Sequence, residues 1–555
     1  MRSRCIATSL PSISSVAVST EEANCPLCNR IERRDVLAES GWVDADTDAR
    51  IRSRNAHWKK QDGACPACVQ HALLSLLLEK GERVLGRVVQ DVWPIDPESA
   101  FGALPTPLRM RADPRFTGDG VTIAVLDAAF YPHDDLIRPS NRIRTWVDAT
   151  DDDLHTRHFR ADEIPSWPGS SAGSPAQWHG LMTSAALAGN GWRSHGLYRG
   201  LAPHASLVLV QVQGVDGRIG STRLVRALRW ILAHHRHLQI TVVNASLGVG
   251  ADAPDAEREV DSLIADLVAD GVSVVVASGN DGQRSLALPA RSPAAITVGG
   301  LDDGNELNTN AAMLWHSSFG TGSDGRAKPE LVAPSIWIVA PIIPVSELAG
   351  EAIRLFERRA MGDLSVEARI RELRLVTPQY QHVEGTSFAA PIVSGVVACM
   401  REAHPKLLAA ETCAVLESAC HAVAGATMDR QGAGAIDAGH AIAAALALAA
   451  GATVGTVRSP RPDEDPPSVW LRDFRARSVR VVGSWDHWCQ PGTAATLEGP
   501  GLWRASLAHL EHGVHRYKLV LDGARWIADP SNSERTSDGL GGWNSVLRLQ
   551  SAPLL

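Results

Sequence analysis

Residues 385–391 read Gly-Thr-Ser-Phe-Ala-Ala-Pro and lead into an apolar run rich in small residues. The first N–H groups of a helix lack intrahelical partners and its amino end carries partial positive charge, so a serine placed there suits a nucleophile. Simple helix capping is the alternative, because Gly-Thr-Ser also occurs wherever a helix is N-capped. A catalytic role for Ser387 therefore requires partners elsewhere in the chain: a base, an acid that orients the base, and a donor for an oxyanion.

The composition is that of an ordinary globular protein with several domains. At 555 residues the chain is too long for one compact core, and we expect about two to four domains. The net charge of −8, from 54 basic and 62 acidic residues, argues against a nucleic-acid partner held by bulk electrostatics. The longest apolar run, residues 441–450, is too short to span a bilayer, and the amino terminus lacks a continuous apolar export segment, so we expect no membrane partner.

Two cysteine pairs have the spacing of metal ligands: Cys25 with Cys28, and Cys65 with Cys68. Two thiolates three residues apart on a tight turn grip one side of a tetrahedral ion, and two such turns complete a Cys₄ shell for zinc. Four thiolates leave no open position for water, so we expect a structural zinc in a small N-terminal module over residues 1–82. Four reduced, unliganded thiols are the alternative. Nine cysteines used in this way fit a reducing compartment, which predicts a cytoplasmic location.

The middle of the chain has the pattern of a doubly wound α/β fold. Asp127 directly follows a β-branched apolar run, which is typical of a buried parallel strand with a polar residue at its carboxyl end. Alternation of such strands with helices predicts right-handed crossovers and a mostly parallel sheet, whose carboxyl edge collects catalytic groups. The strand-like runs are residues 121–126, 240–244 and 272–276, and the helical runs are residues 181–188, 221–234 and 256–269.

Seven short motifs follow one another within residues 113–450. They are residues 125–127 (Val-Leu-Asp), 179–180 (His-Gly), 245–248 (Ala-Ser-Leu-Gly), 277–280 (Ala-Ser-Gly-Asn), 288–290 (Leu-Pro-Ala), 328–334 (Lys-Pro-Glu-Leu-Val-Ala-Pro) and 385–391. In this order they resemble the subtilisin-like serine proteases (subtilases, peptidase family S8). The order Asp, His, Ser is also that of the subtilisin triad. An α/β-hydrolase is disfavoured, because its nucleophile elbow needs glycine where this chain has Ala389.

The resemblance implies a serine endopeptidase that hydrolyses peptide bonds through an acyl-enzyme. It implies that Ser387 attacks the scissile carbonyl, that His179 moves the proton, and that Asp127 orients the imidazole. Asn280 matches the oxyanion donor of the family. The resemblance implies protein or peptide substrates and no cofactor for catalysis. It places Ser246, Leu247 and Gly248 on the strand edge that pairs with extended substrate, and Ala287 at the base of the S1 pocket.

The chain departs from the family pattern next to the proposed triad. Ala128 and Ala129 stand where the family usually has a hydroxyl residue and a glycine, which leaves the hydrogen bonding of Asp127 uncertain. The alternative to an active protease is therefore a catalytically weak or inactive subtilase-fold scaffold that binds α-glucan or a protein partner. Residues 342–381 form an insertion with two amphipathic helical patterns, at 346–359 and 365–374, which could cover the cleft or form a docking surface; a solvated excursion without such a role is the alternative.

The remaining segments flank this central domain. Residues 83–112, with several prolines and no clear periodicity, are interpreted as a connector, and residues 451–467 as a proline-rich linker. Beyond the linker, residues 468–555 have short alternating strands with turn signals, which predict a small antiparallel, immunoglobulin-like β-sandwich.

The sandwich resembles the glycogen-binding module of AMP-activated kinase β subunits, of the family 48 carbohydrate-binding type. Its sequence cues include Val-Gly-Ser-Trp-Asp-His-Trp at residues 482–488 and Trp-Asn-Ser-Val at 543–546. The resemblance implies α-glucan contacts from Trp488, Lys518, Trp526, Leu540 and Asn544. Tryptophans that serve only as core, in a module that docks onto a protein partner, are the alternative.

Overall fold

The structure is a computed structural model, and it describes most of the chain from residue 103 to residue 549. The gaps in this range are residues 167–173, 195, 215, 251–254, 306–311, 455–456, 490, 524 and 540–541. Of the amino-terminal part, the structure describes residues 21–29, 31–34, 37–38, 43, 45–65, 68–69 and 72. The predicted glucan residue Leu540 lies outside the described residues.

The described amino-terminal part is a small unit packed on the central domain. It contains strands β1 (Glu22–Asn24) and β2 (Ile31–Arg33), which pair antiparallel, and helix α1 (Ala45–Arg54). Ile51 and Trp58 share a small apolar core with Leu108, which belongs to the segment that enters the central domain. Next to it, Arg109 forms a buried ion pair with Asp303, at 2.6 Å. The unit is thus joined to the central domain by packed side chains as well as by chain connectivity.

The central domain holds most of the strands. In chain order they are β3 (Thr122–Asp127), β4 (Ile143–Asp148), β5 (His155–His158), β6 (Ser206–Gln211), β7 (Ile240–Ala245), β8 (Ser273–Ala277), β9 (Ile296–Asp302), β10 (Met313–Leu314), β11 (Gly320–Thr321), β12 (Ala327–Lys328), β13 (Leu331–Pro334), β14 (Ile338–Pro341), β15 (Leu375–Thr377), β16 (Tyr380–Val383), β17 (Cys420–His421) and β18 (Ala435–Ile436). Within the described residues, eleven of these strands form one sheet in the order β17-β18-β13-β9-β8-β7-β3-β6-β4-β5, with β10 paired to β9. The strands from β18 to β4 run parallel, and β5, β10 and β17 are antiparallel additions.

Helices cover both faces of this sheet because successive strand residues point to opposite sides. In β3, Ile123 and Val125 belong to one apolar core, and Ala124 and Leu126 belong to the other. The helices, in chain order, are α2 (Thr106–Arg109), α3 (Asp134–Ile137), α4 (Pro175–Ala188), α5 (Ser221–Leu238), α6 (Ala256–Ala269), α7 (Glu347–Ala360), α8 (Glu367–Glu372), α9 (Thr386–Ala403), α10 (Ala409–Ser418), α11 (Met428–Gln431) and α12 (Ala438–Ala449). Helices α4, α9 and α12 pack on one face, and α5 and α6 pack on the other.

The predicted doubly wound fold is confirmed, with the predicted strands displaced by about one residue. One helix differs more. The pattern predicted a helical run over residues 181–188, directly after His179-Gly180, whereas α4 begins at Pro175 after the N-cap Ser174, whose hydroxyl accepts from Gln177 N–H at 3.3 Å. His179 therefore lies inside the helix rather than at its start.

The insertion at residues 342–381 folds on itself. Helices α7 and α8 pack through Ala352, Leu355 and Ile370 into a small separate core with Ile342 and Leu375. Strands β14, β15 and β16 form an antiparallel sheet that carries the chain back toward residue 385. The two amphipathic helices predicted from the sequence are thus present.

Two antiparallel sheets form the C-terminal module. Its strands are β19 (Ser468–Arg472), β20 (Val479–Gly483), β21 (Thr493–Ala494), β22 (Thr496–Gly499), β23 (Leu502–Ser506), β24 (Gly513–Leu521), β25 (Arg525–Ile527), β26 (Arg535–Ser537) and β27 (Trp543–Leu549). One sheet has the order β19-β23-β22, and the other has the order β21-β20-β24-β27-β26 with β25 paired to β24. Residues from both sheets, among them Leu471, Trp503, Leu519 and Leu547, share one core. This arrangement is the sandwich that the alternating pattern predicted.

The proline-rich segment before β19 packs against the sandwich. Ser459 donates its hydroxyl proton to Asp529 at 2.5 Å, and Arg461 pairs with Ser468 in an antiparallel bridge. The Arg461 guanidinium also lies 4.2 Å from the ring centre of Trp470. Among the described residues, the helices are all too short or too polar to cross a membrane.

Candidate active site

A buried carboxylate marks the carboxyl end of the central strand. Asp127 is the last residue of β3, and only 1% of its side chain is exposed. Its Oδ1 lies 2.6 Å from His179 Nδ1 and accepts from the Ala128 N–H at 2.7 Å. Its Oδ2 accepts from the Thr183 hydroxyl at 2.7 Å. Burying a carboxylate without such partners costs free energy, and both oxygens of Asp127 have hydrogen-bond partners.

The residue after His179 explains how the imidazole comes so close to Asp127. A Cβ at Gly180 would lie 1.9 Å from the carbonyl oxygen of Ala129, in the turn that follows β3. Only glycine allows α4 to pack this tightly on that turn. The His-Gly pair of the sequence is therefore a packing requirement that sets the position of the imidazole.

The charge of Asp127 sets the protonation behaviour of His179. Burial acts to lower the pKa of His179, but the Asp127 charge and the hydrogen bond that His179 donates to Asp127 outweigh it, so the pKa is raised. The bonded Nδ1 donates to the carboxylate, which leaves Nε2 of a neutral ring as a proton acceptor.

Thr183 is a site residue that the sequence analysis missed. It lies one helical turn after His179 on α4 and is fully buried. Its hydroxyl supplies the hydrogen bond that became uncertain when Ala128 replaced the usual hydroxyl residue. The signal was readable in principle, since residues i and i+4 of a helix share a face, and a threonine there meets the same carboxylate as the histidine.

Ser387 lies at the amino end of α9. It is the second residue of that helix. The N-cap, Gly385, has a φ of 134°, a backbone conformation that residues with a side chain rarely adopt. A Cβ at Gly385 would also lie 3.3 Å from Nδ2 of Asn280. Glycine at 385 therefore allows both the chain reversal into the helix and the close approach of the Asn280 amide.

Asn280 is held by the residue before the serine. Its Oδ1 accepts from the Thr386 N–H at 2.9 Å and from the Thr386 hydroxyl at 2.8 Å. The same hydroxyl oxygen accepts from the Gly279 N–H at 3.1 Å. Because its oxygen is fixed in this way, the Asn280 amide presents Nδ2 as its donor group. Asn280 is exposed and lines the cleft.

One cleft of about 710 Å³ brings the predicted residues together. Asp127, His179, Ser387 and Asn280 line it, and so do Ser246, Leu247, Gly248 and Ala287, which were predicted to bind substrate. Among the described lining residues, none comes from the insertion at 342–381, so the structure gives no support to the expected cover over the cleft.

The two segments predicted to bind substrate, around Gly248 and around Ala287, are joined directly. Val249 and Leu288 form an antiparallel bridge with N–H to carbonyl distances of 2.9 and 3.0 Å. A Cβ at Gly248 would lie 3.3 Å from the Cβ of Ala287, so the segments approach closely at this point. Trp178 and Ile219 add apolar surface to the cleft that the sequence analysis did not identify.

The four predicted metal ligands also converge. The sulfurs of Cys25, Cys28, Cys65 and Cys68 all lie within 4.8 Å of one another. The Cys25–Cys68 and Cys28–Cys65 sulfur pairs are 4.0 and 3.6 Å apart, and the Cys65 N–H points at the Cys25 sulfur at 3.3 Å. A tetrahedral ion with Zn–S bonds of about 2.3 Å would hold its sulfurs about 3.8 Å apart. The cluster can hold a metal ion of that kind.

Three of the predicted glucan residues share one face of the larger sandwich sheet. Tyr517 and Leu519 of β24 point into the core, so Lys518 points outward. Strand pairing places Val520 opposite Trp526 and Tyr517 opposite Ser545, which puts Trp526 and Asn544 on the face of Lys518. The Lys518 ammonium lies 2.6 Å from Asp538. Trp488 lies in the turn after β20, where its backbone N–H donates to the Gly483 carbonyl at 3.0 Å.

Comparison with known families identifies the family of the chain. The model of the subtilase family matches residues 118–434, which is more than half of the chain. The chain belongs to the subtilase family.

Two curated relatives agree with this assignment. The serine protease AprX of Bacillus subtilis (strain 168) is 28% identical over 339 residues, which cover 59% of this chain and 67% of the relative. Subtilisin BL of Lederbergia lenta is 30% identical over 290 residues, which cover 52% of this chain and 79% of the relative. A solved protease of Pseudoalteromonas arctica PAMC 21717 aligns with a TM-score of 0.42 and 21% identity, over 63% of this chain and 96% of that one. This subtilase is a serine-type endopeptidase.

The Thr183 hydroxyl gives the first prediction. We expect Thr183→Val to lower kcat by about tenfold with little change in KM, because it removes a hydrogen bond to a charged group without changing the shape of the side chain. Steady-state cleavage of a peptide substrate measures both constants. Thr183→Ser keeps the hydroxyl and should restore most of kcat.

Ser184→Ala is the matched control. Its hydroxyl donates to the Gly180 carbonyl at 2.6 Å, in the same helix and equally buried. We expect kcat to stay within about twofold in this variant. A kcat for Thr183→Val equal to that of Ser184→Ala would show that the hydroxyl does not position Asp127.

Proposed function

We propose that Asp127, His179 and Ser387 form the catalytic triad of this endopeptidase, with Asn280 as a donor to the oxyanion. The observation that carries the proposal is the 2.6 Å contact between His179 Nδ1 and Asp127 Oδ1, in a cleft that Ser387 and Asn280 also line. Ser387 Oγ attacks the scissile carbonyl while His179 Nε2 takes its proton, and Asp127 stabilises the imidazolium. The proton then passes to the leaving amine, and water hydrolyses the acyl-enzyme by the reverse proton path.

The oxyanion of the tetrahedral intermediate requires donors that are fixed before the reaction begins. The Asn280 amide meets this requirement because both bonds to its oxygen come from Thr386. The Ser387 N–H, at the amino end of α9, is the second donor. Loss of a donor of this kind costs about 3–4 kcal/mol in subtilisin, the protein from which that figure is taken.

The substrate is an extended peptide that pairs with the strand edge of residues 246–248. Ala287, Ala277 and Ala290 line the cleft with small apolar side chains. We propose a preference for a medium-sized apolar side chain at P1, because residues 285–290 contain no Asp or Glu that would select a basic one.

A fluorophosphonate probe tests the nucleophile. We expect wild-type protein to be labelled at Ser387, as read by mass spectrometry of the modified peptide, and Ser387→Ala to remain unlabelled. Ser365→Ala, at an exposed serine of the insertion that does not line the cleft, is the control and should be labelled like wild type. Labelling of Ser387→Ala at the same rate would exclude Ser387 as the nucleophile.

The pH dependence follows from the raised pKa of His179. The base works only when the imidazole is neutral, so kcat/KM rises with pH as His179 loses its proton. Because the Asp127 charge raises that pKa, we expect the midpoint of the acidic limb to lie above the ordinary imidazole value of about 6.5. In Asp127→Asn the residual activity should titrate at lower pH, since both causes that raise the pKa are removed. A midpoint that does not move would contradict the assignment of the limb to His179.

We propose further that Cys25, Cys28, Cys65 and Cys68 hold a structural zinc ion. The support is the separation of the sulfurs, which matches a tetrahedral thiolate shell, and the fact that the four ligands leave no position for water. When bound, the ion cross-links two chain segments that have little apolar core between them.

The zinc content of the purified protein and of a ligand variant tests the zinc site. We expect the purified protein to contain about one zinc per chain by elemental analysis, and Cys28→Ser to lose it and unfold at a lower temperature. Cys489→Ser, at an exposed cysteine of the sandwich, is the control. Equal zinc content in Cys28→Ser and wild type would contradict the site.

We propose that the outer face of the larger sandwich sheet binds α-glucan through Trp488, Lys518, Trp526 and Asn544, and that it targets the protease. The placement of Lys518, Trp526 and Asn544 on one face supports this proposal, because a flat ring flanked by hydrogen-bonding groups suits a sugar ring.

Among the described residues no cysteine forms a disulfide, which supports the further proposal of a cytoplasmic, intracellular enzyme.

Retention on glycogen tests the sugar proposal. We expect full-length Ser387→Ala protein to be retained on immobilised glycogen, and Trp526→Ala in that background to lose most of the retention. Trp470→Phe is the control, since Trp470 lies in the other sheet. Failure of the Ser387→Ala protein to be retained would favour docking to a protein partner instead.

A further inference from the structure

A second and larger cavity lies between the subtilase domain and the sandwich. Its volume is about 1020 Å³, which is in the size range of small-molecule sites. Ser273 and Ile296, the first residues of β8 and β9, line it, whereas Ala277, the last residue of β8, lines the catalytic cleft. The cavity is therefore at the opposite edge of the sheet from the catalytic residues and is not part of the substrate cleft.

Two arginines of the sandwich, Arg472 and Arg535, line this cavity. Among the described residues, the hydrogen bonds that their guanidinium groups donate go to carbonyl oxygens. Arg472 Nη1 donates to the carbonyl oxygen of Thr453 at 2.6 Å. Arg535 donates from Nε and Nη2 to the carbonyl oxygens of Asn532 and Asp529, both at 3.0 Å. Carbonyl oxygens orient a guanidinium but do not neutralise it.

The carboxylates of the cavity already have cationic neighbours. Asp473 Oδ2 lies 3.1 Å from Arg525 and 3.0 Å from His440 Nε2. The two oxygens of Asp437 each lie 3.9 Å from an arginine, one from Arg111 and one from Arg475.

The other acids of the lining and its surroundings are also accounted for. Glu330 is paired with Lys328 at 2.6 Å, and Asp429 lies 3.4 Å from Arg284. Burial raises the pKa of Glu417, which favours its neutral form. Asp529, behind Arg535, accepts from the hydroxyls of Ser459 and Tyr517, and its burial raises its pKa. The lining holds six arginines and five acidic residues, so it has a small excess of positive charge.

Three buried nitrogens of lining residues have no hydrogen-bond partner among the described residues: Arg472 Nε, His421 Nε2 and His440 Nε2, the last of which lies 3.0 Å from Asp473 Oδ2. Buried polar atoms are almost always bonded, so unpaired nitrogens in the residues that line one cavity favour an acceptor bound there. Burial, followed by the charge of Arg111, lowers the pKa of His421 to about 3, so the ring is neutral at physiological pH and the positive charge comes from the arginines.

We propose that this interdomain cavity binds a small molecule bearing a phosphate group, with the guanidinium groups of Arg472 and Arg535 as its charged contacts. A guanidinium held by neutral carbonyls keeps its charge for a phosphate oxygen, which is the geometry that arginine recognises best. The site joins residues of both folded units and does not depend on the roles proposed for the triad.

Inorganic pyrophosphate is the probe for this site. It is titrated into full-length Ser387→Ala protein by isothermal calorimetry, against sodium chloride of equal ionic strength. We expect saturable binding at one site per chain, and an increase in melting temperature with pyrophosphate that the chloride does not produce. Absence of saturable binding up to millimolar pyrophosphate would overturn the proposal.

Two variants locate the binding. Arg472→Gln and Arg535→Gln, each made in the Ser387→Ala background, should weaken pyrophosphate binding by about tenfold or more. Arg548→Gln is the matched control, since Arg548 is an exposed arginine of the same sandwich that pairs with Glu534 outside the cavity. Far-UV circular dichroism and the melting curve identify a variant that does not fold, and the other variant then decides. Binding as tight in the folded cavity variants as in Arg548→Gln would overturn the site.

Discussion

The arrangement of the catalytic cleft depends on one buried contact, between the carboxylate of Asp127 and the imidazole of His179. The contact requires that α4 pack directly on the turn after β3, and Gly180 is the residue that allows this approach. The dependence runs both ways. A carboxylate that is 1% exposed needs hydrogen bonds on both oxygens, and α4 supplies two of the three through His179 and Thr183. The strand, the helix and the acid are therefore one structural unit.

A buried polar chain fixes the other half of the cleft. Ser394, on α9 two turns after Ser387, donates to Asn244 Oδ1 at 3.0 Å, and Asn244 Nδ2 donates to Ser246 Oγ at 3.0 Å. All three residues are buried, so a displacement of α9 along its axis would leave polar groups unpaired in the apolar core. The helix that carries Ser387 is thus held in register with the strand end that is proposed to bind substrate.

The sequence predicted the fold and the convergence of the cleft residues because both rest on local rules. Buried strands show as apolar runs such as residues 121–126, and the edge where they end is where polar residues gather. Thr183 and Thr386 were not predicted because their importance lies in a contact across the fold. The hydroxyl missing at Ala128 is supplied by Thr183, 56 residues after Asp127. The start of α4 was also predicted too late, since Ser174 and Pro175 act as a cap and first residue outside the apolar pattern on which the prediction relied.

The same limit applies to the segments on either side. Composition indicated that residues 451–467 were a linker, yet the described part of that segment packs on the sandwich, and the sandwich in turn contacts the subtilase domain. Ala422 donates to the Pro530 carbonyl at 3.0 Å, and a Cβ at Gly439 would lie 2.5 Å from Arg475. An interface built from charged side chains gains little net stability, because the charges lose their hydration, but it fixes orientation strongly.

That orientation reaches the catalytic helix through packed side chains. Asp437 caps α12 by accepting from the His440 N–H at 2.9 Å, and Ile442 of α12 and Val393 of α9 share one core. Asp437 thus links the interface to the start of α12, and α12 packs on α9. A close-packed core allows movement only between discrete arrangements, and a bound molecule shifts their balance only if it binds one more tightly than the other. The sandwich is accordingly placed as a structural part of the protease, and a change at its interface has a contiguous route to the helix that carries Ser387.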